Sequence, residues 1–345
     1  MDNKFGFNFD NSYLKLSDVF YKKSNFNEFE NPKLILFNED LAKDLKLNIN
    51  ELKEQGAYIL SANKKIDDGA YISMAYAGHQ FGNFTMLGDG RATLIGEHIV
   101  NNEKYDIQLK GSGKTDFSRN GDGKAVLGPM IREYIISEAM HYLGISTTRS
   151  LAVVDTGEYV IRNGYEKGAI LTRVAKSHIR FGTFEYAKRF CNEEELKELA
   201  DYTINRHYPH LKNEEDKYLK FFTEVLNIQA ELIAKWQGVG FIHGVMNTDN
   251  MSIVGETIDY GPCAFMNIYK VDTVFSSIDM QGRYSYRNQP IICKWNLYRL
   301  AEALIPLIDK DLEKAIEKLE IELKNFNNIF NKKYIEIMGQ KLGIF

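Results

Sequence analysis

The chain has 345 residues, and its 43 lysines and arginines against 47 aspartates and glutamates give a formal net charge of −4. Apolar residues make up 44% of the sequence and charged residues 26%, a balance typical of a globular protein with a large core. This composition excludes an intrinsically disordered chain, a collagen-like repeat and a disulfide scaffold. The slightly acidic balance also argues against nucleic acid or an anionic membrane as a partner.

The cysteines and the N-terminal residues point to a reducing compartment. Cys191, Cys263 and Cys293 are odd in number and far apart, so they predict neither a zinc site nor a disulfide framework. The first residues lack the apolar run of a signal peptide, and no apolar stretch reaches the roughly 18 residues that a membrane span needs. We therefore expect a cytoplasmic protein with no membrane partner.

Strand and helix patterns divide the chain into a β-rich front half and a helical back half. Alternation of apolar residues indicates strands in the front half, and a proline near the start with a glycine at the end marks a helix there. The pattern over residues 1–60 predicts an irregular segment with a single short helix. In chain order, the front-half elements are a helix from Asn38 to Leu45 that Asn38 caps, strands at Arg91–Val100 and Lys104–Lys110, a helix over Pro129–Leu143, a hairpin of Leu151–Val154 and Glu158–Arg162 around Asp155-Thr156-Gly157, and a strand at Gly168–Ala175.

Apolar residues at helical spacing dominate the chain after about residue 176. Asn192 and Glu195 have the spacing of a capping box at the start of one of these helices. The pattern predicts an α+β, bilobal fold, with a β-rich N-terminal lobe over residues 1–175 and a helical C-terminal lobe over residues 176–345. The predicted back-half elements are helices at Ile179–Phe190, Asn192–Tyr208, Lys217–Gly238, Trp295–Ile308 and Leu312–Phe330, with short strands and turns at His243–Phe265.

The clearest functional signal is the segment HGVMNTDN at residues 243–250, followed by DYG at residues 259–261. Protein kinases carry H-R-D-x-x-x-x-N followed by D-F-G, in which the first aspartate is the base and the asparagine and later aspartate hold magnesium. His243 and Asn250 have the kinase spacing, although the two motifs lie closer together than in kinases. Val245 stands where a kinase has its catalytic aspartate, so the usual base is missing.

An acidic residue is nevertheless present one position before the metal-type asparagine. Magnesium prefers carboxylate, amide and phosphate oxygens, so Asn250 and Asp259 are the predicted metal ligands. Asp249 could accept the proton of an attacking hydroxyl, or hold a metal through water. Either motif alone could be an ordinary turn, since Asp and Asn are frequent in turns. Their occurrence together favours the functional interpretation.

A second signal is Lys110, which ends a predicted strand 23 residues before Glu133 on the following helix. In kinases a strand lysine pairs with a glutamate on the next helix and anchors the ATP phosphates. Glu138 is an alternative partner. It lies about 140° further round the helix, so only one of the two glutamates can face the lysine. A solvated lysine with a surface glutamate is the ordinary alternative.

Glycine-rich loops and two arginines complete the candidate site. Turns at Leu87–Arg91, Gly111–Lys114 and Asn120–Lys124 would let backbone N–H groups approach phosphates, although none has the P-loop spacing and glycines often only form hairpins. Arg173 and Arg180 lie seven residues apart, and arginine forks suit phosphate oxygens. Surface salt bridges are the ordinary alternative for both arginines.

Several longer runs, taken together, resemble a known family. They are MAYAGHQFG at 74–82, LGDGR at 87–91, QLKGSG at 108–113, REY at 132–134, NTDNMS at 247–252, DYGP at 259–262, and QP at 289–290 with WNL at 295–297. These runs resemble the selenoprotein O family, and the resemblance extends from about Phe9 to Leu342. The resemblance implies a protein-kinase-like fold that transfers AMP, rather than phosphate, from ATP to a Ser, Thr or Tyr hydroxyl of another protein, with pyrophosphate leaving.

The resemblance also implies roles for individual residues. ATP would be bound in a flipped orientation, with its γ-phosphate pointing inward. Lys110 would bind phosphate and pair with Glu133, and Arg173 and Arg180 would hold the inward phosphates. Asp249 would be the base. The further implied contacts are Gly88, Gly90, Arg91, Asp122 and Gly123 with the nucleotide, and Asn250 and Asp259 with Mg²⁺ or Mn²⁺.

One departure from the family concerns the C-terminus. Family members usually continue well beyond the segment that corresponds to Phe345, and many carry a cysteine or selenocysteine pair there. The C-terminally short chain could therefore be a naturally short form, a truncated reading frame or an expressed fragment, in each case without that redox pair. Two other functions stay open at this point: a non-catalytic, nucleotide-binding pseudokinase scaffold, and a phosphotransferase, against which Val245 argues.

Overall fold

Strands prevail in the first half of the chain and helices in the second, and the protein has a mixed α+β structure. The computed structural model describes residues 4–24 and 28–344. Within these residues the strands are β1 Tyr21–Lys23, β2 Lys33–Phe37, β3 Ile72–Met74, β4 Ala77–Gln80, β5 Asn83–Met86, β6 Ala92–Val100, β7 Glu103–Lys110, β8 Ala125–Val126, β9 Arg149–Ile161, β10 Tyr165–Ala175, β11 Phe241–Ile242 and β12 Ala264–Phe265. The helices are α1 Glu39–Asp44, α2 Ile49–Ile59, α3 Leu127–Tyr142, α4 Phe181–Phe190, α5 Glu193–His207, α6 Lys217–Gly238, α7 Gln289–Ile308 and α8 Leu312–Leu342.

The described residues form two compact units. The first contains those up to Ala75 together with Leu87–His178, and the second contains Tyr76–Met86 together with those from Ile179 onward. The hairpin of β4 and β5 therefore groups with the helices of the second unit, although it lies between two strands of the first unit in the sequence.

An antiparallel sheet is the centre of the first unit. Its strand order is β1-β3-β6-β7-β10-β9-β2, with β8 paired to β10. The predicted strands at Arg91–Val100 and Lys104–Lys110 are confirmed as β6 and β7, which pair antiparallel around Asn101 and Asn102. Lys110 at the end of β7 stands between Ala92 of β6 and Leu171 of β10. This register brings the end of β7 to the middle of the sheet.

The first 60 residues contain more structure than the single helix predicted. The helix that Asn38 caps is confirmed as α1, but β1, β2 and α2 were missed. Helix α2 buries Leu52, Gly56 and Ile59, which lie on one face. Gly56 interrupts the apolar pattern, because the position carries no side chain that signals burial, although a Cβ there would meet Leu34 only at an ordinary contact distance of 3.9 Å.

The predicted hairpin around Asp155-Thr156-Gly157 is wrong. Residues 149–161 form one continuous strand, β9, whose antiparallel partner is β10. Gly157 has a φ of +76°, yet the chain does not reverse there, and the pairing of β9 with β10 shifts register between Lys167 and Ala169. A glycine in the left-handed region serves a bulge as readily as a turn. The reversal lies instead between β9 and β10.

The predicted helices are confirmed, with changes at several ends. Asn192 and Glu195 form the predicted capping box of α5. Helix α7 begins at Gln289, earlier than predicted, with Pro290 in its first turn, where its missing N–H leaves no hydrogen bond unmade. Helix α8 continues to Leu342, past the predicted end at Phe330. Among the described residues, we find no helix with both the length and the apolar character that crossing a membrane requires.

Replacing Asn38 by alanine should lower the free energy of unfolding more than replacing Asn48. Each side chain accepts a hydrogen bond from an amide in the first turn of its helix. The half-buried Asn38 also donates to Glu138 Oε2 at 2.8 Å and to the Ser150 carbonyl at 3.2 Å, whereas Asn48 is exposed and donates to the Lys4 carbonyl. We expect a loss of about 2 kcal/mol for Asn38→Ala and about 1 kcal/mol or less for Asn48→Ala in urea unfolding. Equal losses would contradict this assignment.

Candidate functional site

A buried cluster of three charged side chains marks the centre of the first unit. Lys110 Nζ donates to Glu133 Oε2 at 2.7 Å, and Arg173 Nη2 donates to Glu133 Oε1 at 2.8 Å. All three residues are at most 5% exposed. Strands β7 and β10 contribute the two cations, and α3 contributes the carboxylate. One carboxylate is thus shared by two buried cations, which leaves these three side chains with a net charge of about +1, and the cluster is a potential anchor for phosphate oxygens.

The alternative partner of Lys110, Glu138, is engaged elsewhere. Arg149 donates two hydrogen bonds of 2.8 and 2.7 Å to its carboxylate, and the Ser150 amide donates a third at 3.0 Å. Glu138 thereby joins α3 to the start of β9. The structure thus pairs Lys110 with Glu133, the partner that the kinase comparison favoured.

The glycines at residues 88 and 90 allow two loops to pack closely within the first unit. Gly88 has a φ of +102°, and a Cβ there would meet the Phe117 ring at 2.3 Å. A Cβ at Gly90 would meet the Phe117 carbonyl oxygen at 2.8 Å. Arg91 is exposed, and its carbonyl accepts a hydrogen bond from the Gly111 amide at 2.6 Å. The loop that contains Gly88 and Gly90 and the loop that follows Gly111, both predicted to contact the nucleotide, therefore pack against each other.

Asp122 and Gly123 lie in the second half of this loop region. The exposed Asp122 accepts two hydrogen bonds from Arg162, of 3.0 and 2.8 Å, and these hold the pKa of its carboxyl down at about 2. Gly123 has a φ of +68°, and a Cβ there would lie 2.0 Å from the Gly113 carbonyl oxygen. In this structure Asp122 is thus part of a surface ion pair, and it does not join the Lys110 cluster.

The kinase-like histidine of the second unit has a structural role. His243 is fully buried and stacks on Trp236 with ring centroids 5.4 Å apart. Its Nε2 donates to the Ile258 carbonyl at 2.8 Å, which joins the segment before Asp259 to the loop that precedes Asp249.

Arg180 organises the acidic side of the second unit. Its Nη1 donates to Asp259 Oδ2 at 2.8 Å and to the Asp249 carbonyl oxygen at 2.9 Å. The guanidinium also lies over the Tyr76 ring, 4.6 Å from its centroid. Arg180 thereby ties together the two predicted acidic site residues. The predicted role of Arg180 toward phosphate is not visible in these contacts.

Asp249 is a buried carboxylate with one oxygen unpartnered. The residue is 6% exposed, and its Oδ1 has no hydrogen-bond partner among the described residues. Burial, above all, raises the pKa of Asp249 from 3.8 to about 7, and the neighbouring Asp259 raises it further against the lowering effect of Arg180 and Gln80. A carboxylate with a pKa near neutrality is suited to accept a proton.

The donor atoms next to Asp249 fit a hard divalent cation. Asn250 Nδ2 donates to the Val245 carbonyl at 2.9 Å, which leaves the amide oxygen on the opposite side of the group. That oxygen and the Asp259 carboxylate are of the kinds that magnesium prefers as ligands. Among the described residues, no group of three or more His, Cys, Asp and Glu side chains could hold a metal.

The sequence analysis missed a buried acid–imidazole pair behind the Asp249 loop. His79 Nδ1 shares a hydrogen bond with Glu185 Oε1, and the His79 amide donates to Thr248 Oγ1 at 2.7 Å. Burial raises the pKa of Glu185 to about 7, while burial and the charge of Arg299 lower the pKa of His79. His79 stands in a run that carried the family resemblance, but nothing in the sequence linked it to Glu185, over a hundred residues later.

Replacing Glu185 by glutamine should remove a pH dependence of stability. An ordinary glutamate titrates at 4.5 and buried Glu185 at about 7, so the folded state holds an extra proton between these values. The free energy of unfolding of the wild type therefore falls as pH rises through this window. Compared with the Glu185→Gln protein, the wild type should lose about 3 kcal/mol of its free energy of unfolding across this window. Urea unfolding from about pH 4.5 to about pH 8 measures it. Glu320→Gln, at an exposed carboxylate of α8, is the matched control, and the same pH dependence in both variants would contradict the assignment.

Comparison with known proteins shows the family to which the chain belongs. Residues 4–345 match the sequence model of the family described as protein adenylyltransferase SelO. A protein nucleotidyltransferase YdiU of Clostridium perfringens is 57% identical over 352 aligned positions, which cover all of this chain and 72% of the relative. Proteins with the same name from Brevibacillus brevis and Lachnoclostridium phytofermentans are also 57% identical, over 99% and 97% of this chain and 70% of each relative. The chain belongs to the SelO family of protein adenylyltransferases.

Proposed function

We propose that this protein transfers AMP from ATP to serine, threonine or tyrosine hydroxyls of other proteins and releases pyrophosphate. The observation that carries the proposal is the buried Asp249 carboxylate, whose Oδ1 is unpartnered and which lies beside the oxygen donors of Asn250 and Asp259. A proton acceptor next to ligands for a divalent cation suits the transfer of a phosphorus group to a hydroxyl. The name of the matching family supports AMP as that group, and the name of the relatives supports a nucleotidyl group.

In the proposed reaction, the acceptor hydroxyl oxygen forms a bond to the α-phosphorus of ATP. The bond from that phosphorus to the oxygen that bridges to the β-phosphorus breaks, and pyrophosphate leaves with its electron pair. The hydroxyl proton passes to Asp249, and AMP stays on the acceptor. The raised pKa of Asp249 supports this role, because a general base is most effective when its pKa is near the working pH.

The phosphates are assigned to the buried cations. Lys110 and Arg173 would bind them, and Glu133 would hold both side chains in place through the contacts of 2.7 and 2.8 Å. Arg180 would contribute a third cation. ATP bound with its γ-phosphate inward, in a protein-kinase-like bilobal fold, is part of the proposal, and Val245 at the position of the kinase base supports it. The further nucleotide contacts assigned are Gly88, Gly90, Arg91, Asp122 and Gly123.

Magnesium, with manganese as the alternative, is the proposed metal. When bound, it would neutralise charge on the phosphates. Asn250 and Asp259 would hold it, Asn250 with its amide oriented by the Val245 carbonyl and Asp259 with its carboxylate fixed by Arg180.

The proposed partners are acceptor proteins rather than nucleic acid or membranes. The net charge of −4 offers little attraction for either polyanion. The three cysteines form no disulfide, which is usual in a reducing compartment, and a cytoplasmic location is part of the proposal.

ATP labelled at the α- or the γ-phosphate distinguishes this function from its alternatives. With Mg²⁺ and a mixture of acceptor proteins, the α-label should enter protein and the γ-label should appear in pyrophosphate. Entry of the γ-label into protein would contradict the proposal and support a phosphotransferase. Nucleotide binding without transfer of either label, unchanged by Asp249→Ala, would support a pseudokinase scaffold.

Substitutions at the two aspartates should separate chemistry from binding. Asp249→Asn removes the proton acceptor, so transfer should fall by about 10²–10⁴-fold while nucleotide affinity stays within about twofold. Asp259→Ala should remove both metal-dependent nucleotide binding and transfer. Label transfer and calorimetry measure the two effects. Asp272→Asn, at an exposed residue that pairs with Arg287, is the matched control and should leave both unchanged. Wild-type transfer by Asp249→Asn would exclude Asp249 from the mechanism.

A further inference from the structure

The hairpin of β4 and β5 has no role in the proposed reaction, yet it contacts the loop that carries Asp249. The His79 amide donates to Thr248 Oγ1 at 2.7 Å, and the Phe81 amide donates to Asn247 Oδ1 at 3.1 Å. Both acceptor residues directly precede Asp249. The backbone of the hairpin therefore holds in place the two residues that precede the proposed base.

A buried tyrosine closes this hydrogen-bond network. The Tyr284 hydroxyl donates to Asn247 Oδ1 at 2.6 Å and accepts from the Phe81 amide at 3.1 Å. Tyr284 is fully buried, and its ring lies 5.0 Å from the Phe81 ring. Since a buried polar network with its members paired is rigid, Asn247 has little freedom to move.

Gly78 brings the hairpin into contact with the carboxylate itself. A Cβ at this position would lie 2.9 Å from Asp249 Oδ1 and 3.0 Å from Thr248 Oγ1. Gly78 is not among the residues with positive φ, so its backbone could accommodate any side chain. The glycine is needed for space: it lets β4 lie against Asp249 without displacing the unpartnered oxygen.

A second glycine makes room for the same strand at the start of α4. A Cβ at Gly182 in the first turn of α4 would lie 2.0 Å from the Ala77 carbonyl oxygen and 3.3 Å from Asp249 Cα. Strand β4 is thus enclosed between α4 and the Asp249 loop. Any movement of the strand would be transmitted to the carboxylate.

We infer that this hairpin is the positioning element of the proposed base, acting through Gly78 and through the Phe81–Tyr284–Asn247 hydrogen bonds. The inference rests on the proposed function, in which Asp249 accepts the proton. Gly78 and Tyr284 act on the reaction through Asp249 and do not contact the acceptor hydroxyl. Placement of a catalytic group to within about half an ångström is commonly required, and a displacement of about 1 Å can lower a rate by about 10²-fold.

Gly78→Ala and Tyr284→Phe test the two halves of the inference. Gly78→Ala places a methyl group against Asp249 Oδ1, so the carboxylate must turn or the hairpin must withdraw. We expect kcat to fall by about 10- to 100-fold. Tyr284→Phe keeps the ring and removes the hydroxyl, and kcat should fall by about tenfold. In both variants the KM for ATP should stay within about twofold of the wild-type value.

A matched control is available on the neighbouring strand. Thr85 faces Gly78 across the hairpin, and its hydroxyl contacts the Asn83 carbonyl at 3.3 Å. Thr85→Ala should leave kcat and KM unchanged. A loss of kcat in Thr85→Ala equal to that in Gly78→Ala would show a general effect of changing the hairpin and would overturn the inference.

Repeating both substitutions in the Asp249→Asn protein distinguishes positioning from a general structural effect. If Gly78 and Tyr284 act through the carboxylate, their substitution should no longer lower the residual activity. Losses of the same factor in both backgrounds, or wild-type kcat for both single variants, would overturn the inference and leave the proposed function standing. Wild-type activity of Asp249→Asn itself would instead overturn the assignment of Asp249 as the base, and the inference with it.

A crystal structure of the Gly78→Ala variant examines the same point without turnover. The Asp249 carboxylate should be displaced or rotated relative to its position in a wild-type crystal structure. A carboxylate in the wild-type position with β4 unmoved would contradict the inference.

Discussion

Buried charges must be paired with groups of opposite charge, and this requirement governs how the candidate site is built. In the first unit, Glu133 accepts hydrogen bonds from Lys110 and Arg173, and all three side chains are almost completely buried. Removing an ion from water costs several kcal/mol, which is recovered only when the pairing geometry is good. Strands β7 and β10 must therefore keep the register that sets Arg173 opposite Gln108, and α3 must present Glu133 to both cations.

In the second unit, the buried Asp249 carboxylate keeps one oxygen without a hydrogen-bond partner among the described residues. Arg180 bridges the Asp259 carboxylate and the Asp249 carbonyl, while Asp249 Oδ1 has no hydrogen bond. A buried, unpartnered oxygen destabilises a fold, and the raised pKa of Asp249 expresses that destabilisation of its charged form. The same burial gives Asp249 a pKa suited to accepting a proton near neutral pH. Burial of Asp249 is thus the cause both of the destabilisation and of the pKa on which the proposed chemistry depends. The contacts of the β4–β5 hairpin explain how the carboxylate is held.

Local patterns predicted much of the fold, because caps and apolar periodicity act over a few residues. The pairing of Lys110 with Glu133 was also expected, since both stand in a recognisable motif and the helix allows only one facing glutamate. Gly157 was misread as a turn because one glycine conformation serves turns and bulges alike. The contact of Gly78 with Asp249 could not be predicted, since it joins segments that are distant in sequence and depends on a missing side chain. A glycine gives no signal of what its absent Cβ would have met.

The most direct test of the proposed AMP transfer is the intact mass of the purified protein and an added acceptor protein after incubation with ATP and Mg²⁺. The proposal predicts a mass gain of one AMP on the protein or its acceptor, present with the wild type and strongly reduced with Asp249→Asn. A mass gain of one phosphate, or an AMP gain that Asp249→Asn leaves unchanged, would contradict the assignment of Asp249 as the base of an adenylyl transfer.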